Sequence, residues 1–251
     1  MTDYGYQLYS SRNFPPLHDT LGMLADLGYT HVEGYGALYL DADAVKSLSS
    51  GLSQSGLTMP TGHFGLEQVE TSPADVVRIA EALGIEAVIF PFLQPDARPT
   101  DAAGWAALGA RVARAAEPIW AAGLSVGWHN HDFEMRPCAD GSFPLDHILA
   151  ADPRLKLELD VAWVQMADQD PLPWINAYAD RLISAHVKDI AAAGTAEDED
   201  GWADVGYGVM DWPTLMAALR AGATRYFIME HDNPSDHRRF AGRSLEAAQS
   251  F

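Results

Sequence analysis

The chain has 251 residues, 48 % of them hydrophobic, and 16 basic against 35 acidic residues give it a formal net charge of −19. That length and apolar content suit one large α/β domain with a sizeable core rather than two small ones. The acidity argues against a nucleic-acid partner, the single cysteine, Cys138, excludes an intramolecular disulfide and fits a reducing cytoplasm, and no leader pattern or apolar run of about 20 residues points to a membrane.

Short β-type runs alternate with helical ones. "YGYQLYS" (Tyr4–Ser10) reads as the first strand. Leu17, Leu21 and Leu24 then recur at helical spacing until Gly28. "HVEGYG" (His31–Gly36) is the second strand, followed by a helix ending at Gly56. "TMPTGHFG" (Thr58–Gly65) is the third, despite Pro60. The next helix opens with Ser72 as N-cap and Pro73 at its first position. "AVIFPF" (Ala87–Phe92) is the fourth strand, and a long helix containing Pro118 follows. Strands five to eight are Leu124–His131, Leu155–Trp163, Leu182–Ile190 and Arg225–Asp232. Helical stretches fall near 142–151, 171–180, 211–221 and 235–250. Eight strands, each followed by a helix-compatible segment, predict a (β/α)₈ TIM barrel forming one domain over 1–251. The acidic, Gly-rich stretch Ala191–Gly208 after strand seven is a long loop on the side where such barrels keep their active sites.

Polar residues gather at the predicted C-terminal strand ends. Gln7, Glu33 and His63 close the first three strands. His129, Asn130 and His131 close the fifth, with Asp132 and Glu134 just beyond. Glu158, Asp160 and Trp163 lie on the sixth, His186, Lys188 and Asp189 on the seventh, and Glu230, His231 and Asp232 on the eighth. Asp160, His186 and Glu230 each sit in an apolar run, where a charge needs a partner or a metal. Any one of them alone is more simply a helix cap or a hydrogen-bonded core residue. Together, at three successive strand ends, they converge on one barrel mouth and suit a divalent ion of the Mn, Mg, Co or Zn type.

The ordered set "HNHDFE", "LELDVAW", "AHVKD", "VGYGVMDW" and "MEHD" resembles the sugar phosphate isomerase/epimerase family, the xylose isomerase-like TIM barrels. "GYQLYSSR", "VEGYG" and "TGHFGLE" extend the likeness to nearly the whole chain. The resemblance implies one divalent ion, most often manganese, held by four side chains from strands five to eight. By position these include Asp160, His186 and Glu230. At strand five the family's glutamate is replaced by His129, so the first ligand is Glu134 folding back, or else His129 or His131; Glu134 is the expected one. Such an ion would chelate a carbonyl and the neighbouring hydroxyl, and would stabilise the enediolate left by α-proton removal.

Glu134, Glu230 and His131 are then the candidate bases, and Lys188, on the same side of its strand as His186, is a candidate oxyanion or substrate ligand. Trp163, Glu33, His63 and His129 are candidate sugar contacts, each of which core packing or loop hydrogen bonding would equally explain. Glu158 is expected deeper on the face of Asp160, in support of the ligands. His18, His31, His147 and His237 read as structural or surface residues. The expected activity is a metal-dependent isomerase or epimerase acting on a ketose or keto-sugar. A 3-keto-glycoside eliminase or hydratase on the same site and a non-enzymatic carbohydrate-binding protein are the alternatives; the AP endonucleases that share the barrel need a basic surface this chain lacks. The partner is a small sugar, neutral rather than phosphorylated, and the sequence leaves open a homo-oligomer.

Overall fold

The computed structural model describes residues 2–251. Eight parallel strands close into a barrel: β1 (Tyr4–Gln7), β2 (His31–Gly34), β3 (Thr58–His63), β4 (Ala87–Phe90), β5 (Ser125–His129), β6 (Lys156–Asp160), β7 (Leu182–Val187) and β8 (Tyr226–Met229). Each strand pairs with its sequence neighbours, and β8 returns to β1 through the Gly5 and Ile228 pairing. The expected TIM barrel is the observed one. All eight strands are shorter than or equal to their sequence spans, because the polar ends leave the ladder to form turns. Leu8–Ser11, for example, winds into a 3₁₀ turn in which the Gln7 side chain accepts from the Tyr9 N–H.

The helices are α1 (Leu17–Leu27), α2 (Ala42–Ser55), α3 (Leu66–Thr71), α4 (Pro73–Leu83), α5 (Ala102–Ala121), α6 (Pro144–Ala150), α7 (Val161–Met166), α8 (Pro171–Ala177), α9 (Trp212–Ala221) and α10 (His237–Ala248). α1, α2 and α4 stop at left-handed glycines, Gly28, Gly56 and Gly84. α3 and α7 have no counterpart among the expected helices. α7 starts where β6 was expected to continue, because Asp160 turns its carboxylate onto the N–H groups of Ala162 and Trp163 and so caps a new helix. Among the described residues, no helix is long and apolar enough to cross a membrane.

The apolar core fills the space between the strands and the helix ring, with Trp128, Leu157, Leu159, Val187 and Trp212 almost wholly buried. The barrel interior is different: its upper half is lined by titratable side chains. The loop after β7 is not free. Asp189–Ile190 pairs with Trp202–Ala203 in a small antiparallel ribbon. The Asp189 carboxylate accepts from the N–H groups of Gly206, Gly208 and Met210 and from the Trp212 indole. A Cβ on Gly208 would overlap that carboxylate, so the loop approaches closely only through glycine.

Candidate active site

Strand alternation points Glu158 and Asp160 of β6 to the same inner side, as it does His186 and Lys188 at the end of β7. The result is two stacked layers of charged groups joined by one imidazole.

The lower layer contains Glu33, His63, His129 and Glu158. His63 Nε2 lies 2.7 Å from Glu158 Oε1 and 3.1 Å from Glu33 Oε1. His129 Nδ1 is 3.3 Å from the same Glu158 oxygen. Gln7 donates to Glu33 Oε1 at 2.7 Å, and Ser184 donates to Glu158 Oε2 at 2.6 Å. Burial alone would lower the His63 pKa, but Glu33 and Glu158 outweigh it and raise it to about 10. Burial likewise works to raise Glu158, yet His186 and His63 hold it well below the usual carboxylate range.

The upper layer contains Asp160, Glu230 and Lys188. Lys188 is fully buried, at 0 % exposure. Its ammonium lies 3.2 Å from Glu230 Oε2 and 3.9 Å from Asp160 Oδ2, and it donates to Asp232. The Trp202 ring, 4.0 Å away, and the Trp163 ring, 4.8 Å away, cover the same ammonium. Asp160 Oδ2 has no hydrogen-bond partner, and burial raises the Asp160 pKa to about 7 against the pull of Lys188. Asn130 locks the Asp160 backbone from both sides, accepting from its N–H at 3.0 Å and donating to its carbonyl at 3.2 Å.

His186 joins the layers. Its Nε2 lies 2.7 Å from Glu33 and 3.2 Å from Glu158, while its Nδ1 lies 3.1 Å from Glu230 and 3.8 Å from Asp160.

Two groups of side chains bring ligand atoms within 4.8 Å of one another: Asp160, His186 and Glu230 above, and His63, His129, Glu158 and His186 below. The upper one has spare capacity. Its orphaned Asp160 oxygen and its two carboxylates, already gathered round an ammonium, match the oxygen-rich donor set of a hard divalent cation. In the lower group the Glu158 oxygens are already taken up by imidazoles and Ser184.

Glu134 belongs to neither group. It is buried behind β5, where Oε1 accepts from the Trp128 indole at 2.9 Å and Oε2 from the His131 N–H at 2.8 Å. Burial lifts its pKa to about 8. It thereby fixes the turn that carries His131.

A cavity of about 430 Å³ opens above these layers. His63, His129, His131 and Glu230 reach it, whereas Glu33 and Trp163 do not line it. His131 is boxed by aromatic rings, with centroids at 5.0 Å for His129, 5.1 Å for Phe92 and 5.3 Å for Trp163. Burial, then the nearby His129 and Lys188, keeps its imidazole well below pKa 6.5, and its Nδ1 has no partner. Tyr9, Tyr35, Phe92 and Gln94 complete much of the wall, and no lysine or arginine lines it. None of these four was singled out from the sequence, nor was Trp202. The available signal was an aromatic residue just past a strand end, as in Tyr9 after β1, Tyr35 after β2 and Phe92 after β4. A larger groove, about 960 Å³, runs over α2 and α4 on the outer surface and contains none of the clustered groups.

A family model for the xylose isomerase-like TIM barrel matches residues 21–250. The chain belongs to this family. Among solved xylose isomerase-like barrels and their structural relatives, it is similar to a sugar phosphate isomerase/epimerase from Parabacteroides distasonis. The TM-score is 0.82 at 22 % identity, over 98 % of this chain and 94 % of that one. It is also similar to a 3-keto-D-glucoside 4-epimerase from E. coli, with TM-score 0.73 and 17 % identity over 100 % of both chains. A third similar structure is the IOLI protein, which binds a zinc atom, with TM-score 0.75 and 15 % identity over 99 % of this chain and 96 % of that one. No curated protein matches the chain.

Proposed function

We propose that this xylose isomerase-like barrel is a divalent-metal-dependent isomerase or epimerase acting on an unphosphorylated ketose or keto-sugar. The observation that carries the reading is the convergence of Asp160, His186 and Glu230 within 4.8 Å beneath a cavity whose wall includes a neutral, unpaired His131. The sugar phosphate isomerase/epimerase and the 3-keto-D-glucoside 4-epimerase among its structural neighbours support the isomerase or epimerase part of this reading.

Asp160, His186 and Glu230 would hold the ion, with manganese the expected one. When bound, it would polarise a carbonyl and stabilise the negative charge that develops as the neighbouring C–H proton leaves. The remaining work falls to the protein's own groups. His131, neutral and aimed by the Glu134 clamp, is the base for the α-proton; its low pKa keeps its lone pair free near neutrality. Glu230 faces the same cavity and can receive or return a proton on the other side. Lys188 stands behind the cavity wall, where its ammonium holds the Glu230 and Asp232 carboxylates in place. His63 and His129 present ring edges to sugar hydroxyls, and Trp163 backs His131. Glu33 supports these groups from below. The aromatic wall suits the apolar face of a sugar ring, and a wall with two carboxylates and no cation disfavours a phosphate group.

Return of the proton to the adjacent carbon gives isomerisation, and return to the opposite face gives epimerisation. A leaving group at the β position would turn the same abstraction into elimination. The acidic, one-cysteine chain is proposed to act in the cytoplasm. The test is exchange of a substrate α-proton with deuterated water, followed by NMR over a panel of ketoses and 3-keto-glycosides. Manganese-dependent exchange with at least one member is expected; no exchange with any of them overturns the reading.

A further inference from the structure

His186 has two ring nitrogens, and the protein treats them differently. Nδ1 faces the carboxylates of the upper layer, and Nε2 faces those of the lower. A ligating imidazole must offer the lone pair of one nitrogen, and the hydrogen bond made by the other decides which one is free.

We infer that Glu33 and Glu158 are positioning residues that keep a proton on His186 Nε2, so that Nδ1 is the atom offered to a cation between Asp160 and Glu230. The inference rests on the proposed metal site and goes beyond it by assigning a role to a buried carboxylate pair that touches neither ion nor substrate.

The geometry fixes the acceptor role of the pair. Glu33 Oε1 is 2.7 Å from His186 Nε2, and Gln7 donates to that same oxygen at 2.7 Å. Gln7 cannot be turned round, because its own carbonyl oxygen already accepts from the Tyr9 N–H at 3.0 Å. Glu158 Oε1 stands 3.2 Å from the same nitrogen, and Ser184 holds its second oxygen at 2.6 Å. His63 lies between the two carboxylates, 2.7 Å from one and 3.1 Å from the other. Its imidazole bridges the two carboxylates and so holds both in place against Nε2. An ionised carboxylate is an acceptor only. With acceptors packed against Nε2, a lone pair on that nitrogen would face two negative oxygens, and the arrangement selects Nε2–H. The residues come from β1, β2, β3, β6 and β7, so this clamp exists only once the barrel has closed.

The test uses the full chain, with manganese and zinc as probes. Titration calorimetry should show Glu33→Gln binding manganese about 10–100-fold more weakly than wild type, because the new amide can present a donor to Nε2 and release its proton. In the zinc-loaded wild type, long-range ¹H–¹⁵N correlation NMR should show the His186 proton on Nε2 and the lone pair of Nδ1 on the metal. Tight wild-type binding that Glu33→Gln leaves unchanged overturns this inference alone, as does a zinc-loaded wild type with the proton on Nδ1. A wild type that binds neither ion overturns the proposed metal site instead. If Glu33→Gln does not fold, the wild-type NMR signature decides by itself.

Discussion

Glu158 and Asp160 stand two residues apart on one strand and face the same interior, yet they are opposite in character. Glu158 spends both oxygens on cationic or hydroxyl partners and is held well below the usual carboxylate range. Asp160 uses one oxygen to cap α7, leaves the other without a partner, and is pushed up to about 7. Depth explains little, since both are fully buried. The difference is the neighbours: three imidazoles surround Glu158, whereas Asp160 shares one lysine with Glu230 and Asp232. Around Glu158 the ion network is closed, whereas around Asp160 it is one that an incoming cation can complete.

The sharpest way to break this contrast is to remove each acid in turn. Glu158→Ala leaves imidazolium charge buried without its counter-ion and should lower stability by about 3–5 kcal/mol in denaturant unfolding. Asp160→Ala should fold with a much smaller change but lose more than about 100-fold in manganese affinity, since loss of supporting partners alone costs 10–100-fold. Equal destabilisation by the two variants would contradict the distinction.

Glu134→Ala tests the residue the sequence put on the metal. It strands the Trp128 and His131 N–H groups, so a loss of about 2–4 kcal/mol in stability is expected. Manganese affinity should stay within about threefold of wild type, and calorimetry showing a collapse of binding would return Glu134 to the ligand set.

Lys188→Met removes the cation that occupies the upper carboxylates. Manganese should then bind about tenfold more tightly, because ion and ammonium compete for the same oxygens, while proton exchange with substrate slows. Unchanged affinity in the titration would mean that Lys188 and the ion do not share a site.

The same contrast can be read from pH alone. Burial raises Asp160 to about 7, and the glutamates around His186 outweigh its burial and hold it well above 6.5. Ligation displaces protons from both, so manganese affinity should rise between about pH 6 and pH 8, by up to about tenfold per unit and per proton released. A flat profile in calorimetry would show that neither group takes up a proton when the ion leaves.

The sequence by itself determined the barrel. Alternating β-type and helical runs with helix-stopping glycines are local signals, and eight of them leave few alternatives to closure. It also determined which strand ends carry Asp160, His186 and Glu230, because a strand's end is set by where its apolar run stops. It could not decide which way Glu134 points, for that depends on a buried indole from β5 offering a donor behind the strand. His63 and Glu33, read as sugar contacts from their strand ends, meet Glu158 and His186 respectively, across 95 and 153 residues of chain. No local pattern encodes such distances. Trp202, in a loop that looks merely acidic, packs on Lys188 only because Asp189 gathers the loop's backbone N–H groups around its carboxylate. Tertiary structure alone turned a list of charged strand ends into two layers, because the energy of a buried charge is set by the side chains that other strands bring to it.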